Sequence, residues 1–126
     1  MAERWIVDDF AVALTQFETV LKQKVDTDLL RAGCIQYFEF TFELAWKSIK
    51  QVAEEMGLPA CTSPRACLKT AFQQEWIDDE TTWLDMLEAR NRMSHTYDSK
   101  TALAIFDRLA AYPQPMNQLL THLKSA

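Results

Sequence analysis

Residues 29–56, LLRAGCIQYFEFTFELAWKSIKQVAEEM, decide how this chain folds. Leu30, Ile35, Tyr37, Phe38, Phe40, Phe42, Leu44, Ala45, Trp46, Ile49, Val52 and Met56 make a long apolar series without a proline, which reads as one helix. Each helical residue advances about 100° around the axis, so these positions spread over most of the circumference. A helix apolar nearly all round sits at the centre of a bundle, is covered in part by a second copy of the chain, or both. Both are expected here. Asp26, Thr27 and Asp28 supply capping groups at its start, and Gly57 followed by Pro59 ends it.

Outward from this helix the pattern stays helical. A first helix is predicted from about Arg4 to Lys24, with Trp5, Phe10, Ala13, Leu14, Phe17, Val20 and Leu21 at core spacing. Residues 60–64 form a connector, and Ser63-Pro64 opens a short third helix through about Gln74, serine as cap and proline at the first position. Arg65 and Lys69, four apart on it, form either a small basic face or a solvated surface pair. Trp76 and Ile77 are expected to pack back on the core, and Asp78 or Asp79 to cap a fourth helix carrying Trp83, Leu84, Met86 and Leu87. A fifth helix begins near Ser99, with Leu103, Ile105, Phe106, Leu109 and Ala110 at core spacing until Pro113 and Pro115. A last one runs from about Gln114 to Lys124, with His122 as a surface residue.

Composition agrees. The 126 residues are one domain's worth, 48% are apolar and only two are glycine, so an all-α single domain spanning 1–126 is expected. The net charge of −5 argues against a broad basic surface that coats nucleic acid, though it leaves room for a local basic patch. Cys34, Cys61 and Cys67 show no paired metal-ligand spacing, so reduced thiols and no metal site are expected. Charged residues interrupt the first ten positions, and no apolar run reaches the length of a membrane span, which predicts a soluble, cytoplasmic protein.

The chemistry is concentrated in Glu-Ala-Arg-Asn-Arg-Met-Ser-His-Thr-Tyr-Asp, residues 88–98. Arg90, Asn91, Ser94, His95, Tyr97 and Asp98 offer a fixed cation, an amide, two hydroxyls, an imidazole and a carboxylate. Were the stretch helical throughout, they would share one polar face roughly 160° wide. Such groups either bond locally, with Arg90 paired to Glu88 or Asp98 and His95 capping the helix, or they serve a ligand.

Two motifs together favour the ligand. The segment Ile35-Gln-Tyr-Phe-Glu-Phe-Thr-Phe-Glu-Leu-Ala-Trp-Lys, joined to Arg90-Asn-Arg-Met-Ser-His-Thr-Tyr-Asp, resembles the nucleotidyltransferase substrate-binding branch of the HEPN superfamily. The likeness covers essentially the whole chain, and arginine, four residues, histidine, one residue, tyrosine is that family's signature. It implies an antiparallel up-and-down bundle of about five helices that dimerises, bringing two motifs to one cleft. It also implies a two-gene, toxin-antitoxin-like module in which a minimal nucleotidyltransferase partner controls the HEPN protein by adding AMP to the motif tyrosine. Carried over by residue, Arg90 and His95 would be catalytic in a metal-independent ribonuclease needing no cofactor. Asn91 would position His95 or the phosphate, and Tyr97 would accept AMP.

The chemistry suits those roles. Cleaving RNA through its own 2′-hydroxyl needs a proton acceptor, which an imidazole supplies, and a cation on the phosphate, which a guanidinium supplies in a fixed fork. On an ideal helix, however, Arg90 and His95 stand about 140° apart. Either the helix loosens there, or RNA lying between two subunits touches His95 of one and Arg90 of the other. The alternative function is a non-catalytic subunit whose cleft, with Arg90, Asn91, Ser94, His95 and Tyr97, holds a nucleotide or other substrate for the partner transferase.

Overall fold

The computed structural model describes residues 5–126. Its six α-helices are α1 (Trp5–Leu21), α2 (Asp28–Glu55), α3 (Pro64–Gln73), α4 (Glu80–Asn91), α5 (Ser99–Phe106) and α6 (Pro113–Ser125), with 3₁₀ turns at Met93–His95 and Leu109–Ala111 and no strand among the described residues. Arg4, where the periodicity would start α1, lies outside the described residues.

Caps set the boundaries. Thr27 accepts a hydrogen bond from the Leu30 amide at 3.1 Å, Ser63 from Ala66 at 3.2 Å and Asp79 from Thr82 at 3.0 Å. The bonds from Thr82 hold the Asp79 carboxyl below its ordinary range. α2 ends at Gly57, whose φ of 72° lets the Leu58 amide reach back to the Ala53 carbonyl at 3.0 Å. α3 closes with the same geometry on a residue unsuited to it: Glu75 has φ 61°, and the Trp76 amide bonds the Ala71 carbonyl at 2.9 Å. This turn drives Trp76 and Ile77 inward, where both are buried.

α2 packs against all five other helices. Phe38 lies at the focus, its ring 6.2 Å from Phe17, 6.0 Å from Phe42 and 5.1 Å from Tyr112, and Phe42 continues the array to Trp83 at 6.4 Å. Two small polar residues let α1 approach closely: buried Thr41 faces the Ala13 carbonyl at 3.3 Å, and Ser48 donates to the Ile6 carbonyl at 3.2 Å. α6 packs on α1 and α2 through Met116, Leu119 and Leu123, closing the bundle.

The central helix and the all-helical architecture follow the sequence reading, and several details depart from it. Trp5, expected in the core, is 59% exposed, and Leu30, Phe40, Met56 and Leu103 also stay open to solvent, because nothing among the described residues covers those faces. The fifth helix stops at Phe106, and a 3₁₀ turn leads to Pro113. Cys61 and Cys67 form a disulfide in place of reduced thiols. The connector turns back at Cys61, so its Cα comes within 5.1 Å of that of Cys67 on the first turns of α3, a span a disulfide can close. Cys34 is free and buried, and burial pushes its thiol up.

Glu75 is the position where backbone and residue type disagree. Glycine relieves the left-handed conformation but gains entropy in the unfolded chain, so Glu75→Gly should stabilise by roughly 0.5–1 kcal/mol. Urea unfolding checks this: the midpoint should rise with an unchanged slope.

Candidate functional site

α4 approaches the motif as a buried helix, with Trp83, Met86, Leu87 and Ala89 in the core. It ends at Asn91, just inside the motif. Arg92 is the C-cap, and the amide of His95 bonds the Arg92 carbonyl at 3.0 Å as the chain tightens into the Met93–His95 turn. The Asp98 carboxylate then caps α5, accepting from the Lys100 amide at 3.2 Å and the Thr101 hydroxyl at 3.1 Å. The unbroken polar face is therefore replaced by a helix end, a turn and a cap, so the separation of Arg90 from His95 on an ideal helix no longer applies.

Arg90 is held from α2. Its Nε donates to Glu43 Oε1 at 2.8 Å, and Trp46 Nε1 donates to Glu43 Oε2 at 2.9 Å. Both charged side chains are about one-third exposed or less, at 34% and 27%. The guanidinium is thus oriented through its inner nitrogen. One outer nitrogen rests 3.3 Å from Asn91 Oδ1, and the fork makes no further side-chain bond among the described residues. Neither local partner considered from sequence takes Arg90. Glu88 instead accepts from Arg108 at 2.5 Å and lies 3.6 Å from Arg92, while Asp98 is the α5 cap.

A second cluster fixes the end of α4. The Tyr112 hydroxyl donates to Asp85 Oδ2 at 2.5 Å, and Arg108 lies between Asp85 and Glu88. Burial, then the Asp85 carboxylate, pushes the Tyr112 phenol far above its ordinary range, so it stays a hydrogen-bond donor. The bond to Glu88 raises Arg108. Arg90 thereby projects from a helix terminus anchored on both sides.

His95 and Tyr97 project outward beyond it. Their rings meet edge to face at 6.1 Å, Tyr97 is 86% exposed, and neither side chain makes a hydrogen bond among the described residues. Ser94 is also exposed. The structure brings together Arg90 with Asn91, and His95 with Tyr97, with no bond or ring contact joining the two pairs. Tyr97 borders a groove of about 600 Å³ between the start of α2 and α5, shared with Arg31, Gln36, Glu39, Lys100 and Leu103.

The participant that sequence reading missed is Glu43. The only signal was weak: a carboxylate set among Phe40, Phe42, Leu44 and Ala45 on the central helix. Nothing local shows that the partner is 47 residues away.

Comparison with known proteins places the chain in a family. Residues 7–125 match the family model described as nucleotidyltransferase substrate binding protein like. A Haemophilus influenzae protein named "Probable ribonuclease HepT" is 28% identical over 108 residues, covering 82% of this chain and 74% of that protein. A crystal structure from Thermus thermophilus superposes with a TM-score of 0.83 at 30% identity, covering 90% of this chain and 98% of the other. A Haemophilus influenzae structure, described as revealing the fold of a substrate binding domain of a nucleotidyltransferase, superposes at 0.80 with 24% identity over 94% and 98% of the two chains. With nearly its whole length matched, the chain belongs to the nucleotidyltransferase substrate binding protein like family.

Proposed function

We propose that this protein is a HEPN-type, metal-independent endoribonuclease, acting as a homodimer and controlled by a minimal nucleotidyltransferase in a toxin-antitoxin-like module. The observation that carries the reading is an arginine held at its inner nitrogen by Glu43, followed in the next turn by an exposed histidine and tyrosine whose side chains make no hydrogen bond among the described residues. The relative named as a probable ribonuclease supports it.

In this mechanism His95 takes the proton from a ribose 2′-hydroxyl. The 2′-oxygen attacks phosphorus, the bond from phosphorus to the 5′-oxygen breaks, and the leaving oxygen is protonated by solvent or by the second imidazole of the dimer. Arg90 carries the charge that develops on the phosphoryl oxygens, and Asn91 steadies the guanidinium. Glu43 acts through Arg90 and is a positioning residue. The products are a 2′,3′-cyclic phosphate and a 5′-hydroxyl.

A second reading is favoured by the family description and the net charge of −5: a non-catalytic subunit holding a nucleotide for the transferase beside the same residues. Cleavage of a mixed RNA pool in EDTA separates the two. On the ribonuclease reading the parent cuts and leaves cyclic phosphate ends, His95→Ala and Arg90→Ala each lose roughly 100-fold or more, and Glu43→Gln loses less. An inert parent, or folded variants that cut like it, transfers the assignment to the binding subunit.

The dimer is proposed to form on the α1–α2 face, where Val12 is 59% and Phe40 48% exposed beside Leu44 and Glu43. Phe40→Glu should yield a folded monomer by light scattering, with RNA cleavage lost in parallel; a variant that remains dimeric assigns the interface elsewhere. Tyr97 is the proposed AMP acceptor, and its exposure permits access. Tyr97→Phe should keep fold and dimer but gain no adduct of about 329 Da, the mass of a transferred adenylyl group. Unchanged AMP addition in the mass spectrum would remove Tyr97 from that role.

A further inference from the structure

Away from the motif, α3 and α4 leave a half-enclosed cleft of about 410 Å³, within the size range of small-molecule sites. Leu68, Phe72, Ile77, Trp83 and Leu84 make its apolar walls. Phe72 on one lip is 42% exposed and Leu84 on the other 39%. Arg65 and Lys69 stand on the α3 side, one helical turn apart, and neither enters an ion pair among the described residues. They are free cations on a chain of net charge −5, set beside apolar surface. Glu80 on the opposite rim restricts an anionic group to the α3 side.

The wall itself carries an unmet donor. Trp83 is 1% exposed, and its Nε1 is the one buried side-chain polar atom without a hydrogen-bond partner among the described residues. A buried N–H without an acceptor is unfavourable and is rare in folded proteins.

We infer that the α3–α4 cleft is a binding site for a small amphiphilic anion, an apolar body seated between Phe72 and Leu84 with one carboxylate or sulfonate facing Arg65 and Lys69. This site is separate from Arg90, His95 and Tyr97, and it stands whether or not the protein cleaves RNA. The apolar walls supply affinity through area removed from water, and the paired cations select a charged over a neutral ligand of the same shape.

The test uses the full chain, labelled with nitrogen-15 and titrated with 8-anilinonaphthalene-1-sulfonate, whose aromatic body and single sulfonate have this chemistry. The indole N–H signal of Trp83, identified by its loss in Trp83→Phe, should shift in a saturable way. The uncharged analogue N-phenyl-1-naphthylamine should bind at least tenfold more weakly. The double variant Arg65→Glu, Lys69→Glu should weaken the sulfonate by at least tenfold without changing the affinity for the neutral analogue. These side chains and Leu84 are exposed, so the variants should fold, and Leu84→Arg should block both probes. The inference is overturned if the Trp83 signal stays fixed while probe fluorescence rises, if charged and neutral probes bind alike, or if the double variant binds as the parent does.

Discussion

A 28-residue helix with apolar side chains on most of its surface cannot be stable until something surrounds it, and α2 imposes that requirement on the whole chain. α1 covers one side through Phe10, Leu14 and Phe17, α6 another through Met116 and Leu119, and the shorter α3, α4 and α5 close the remainder. Each short helix has too few residues to be stable alone, so its place is set by what it buries against α2. The faces holding Phe40 and Leu30 remain uncovered within one chain.

The same helix supplies the polar anchor of the site. Glu43 lies one residue from Phe42, so a single turn of α2 contributes both to the aromatic core and to the carboxylate that holds Arg90. The arginine is oriented by the central helix rather than by its own turn. His95 and Tyr97, in contrast, are carried on the turn that follows α4 and are open to solvent. The division leaves one charged group fixed by the core and two groups accessible to solvent.

Much of this was legible in the residues. The apolar series of residues 29–56 placed the central helix, and Thr27, Ser63-Pro64 and Gly57 marked boundaries within a residue or two because their effects are local. What escaped was non-local. No glycine or proline announces the break after Asn91, and the bonds that hold this end of α4 come from Arg108 and Tyr112, distant in sequence. The pairing of Cys61 with Cys67 depends on the direction the connector takes after Pro59, and periodicity does not encode it. Trp5 and Leu103 have core spacing but lack a neighbour, since periodicity identifies a face without saying what lies opposite.

The indole of Trp46 shares a carboxylate with Arg90, which ties a ring of α2 to the site. Glu43 holds both groups, one on each oxygen, so a displacement of the guanidinium alters the charge seen by the indole N–H. Lys47 lies 5.8 Å from the centre of the same ring and tunes its electronic surroundings further. Of the four tryptophans, Trp46 is the one whose indole N–H shares a carboxylate with Arg90, so its surroundings are coupled to the position of that guanidinium.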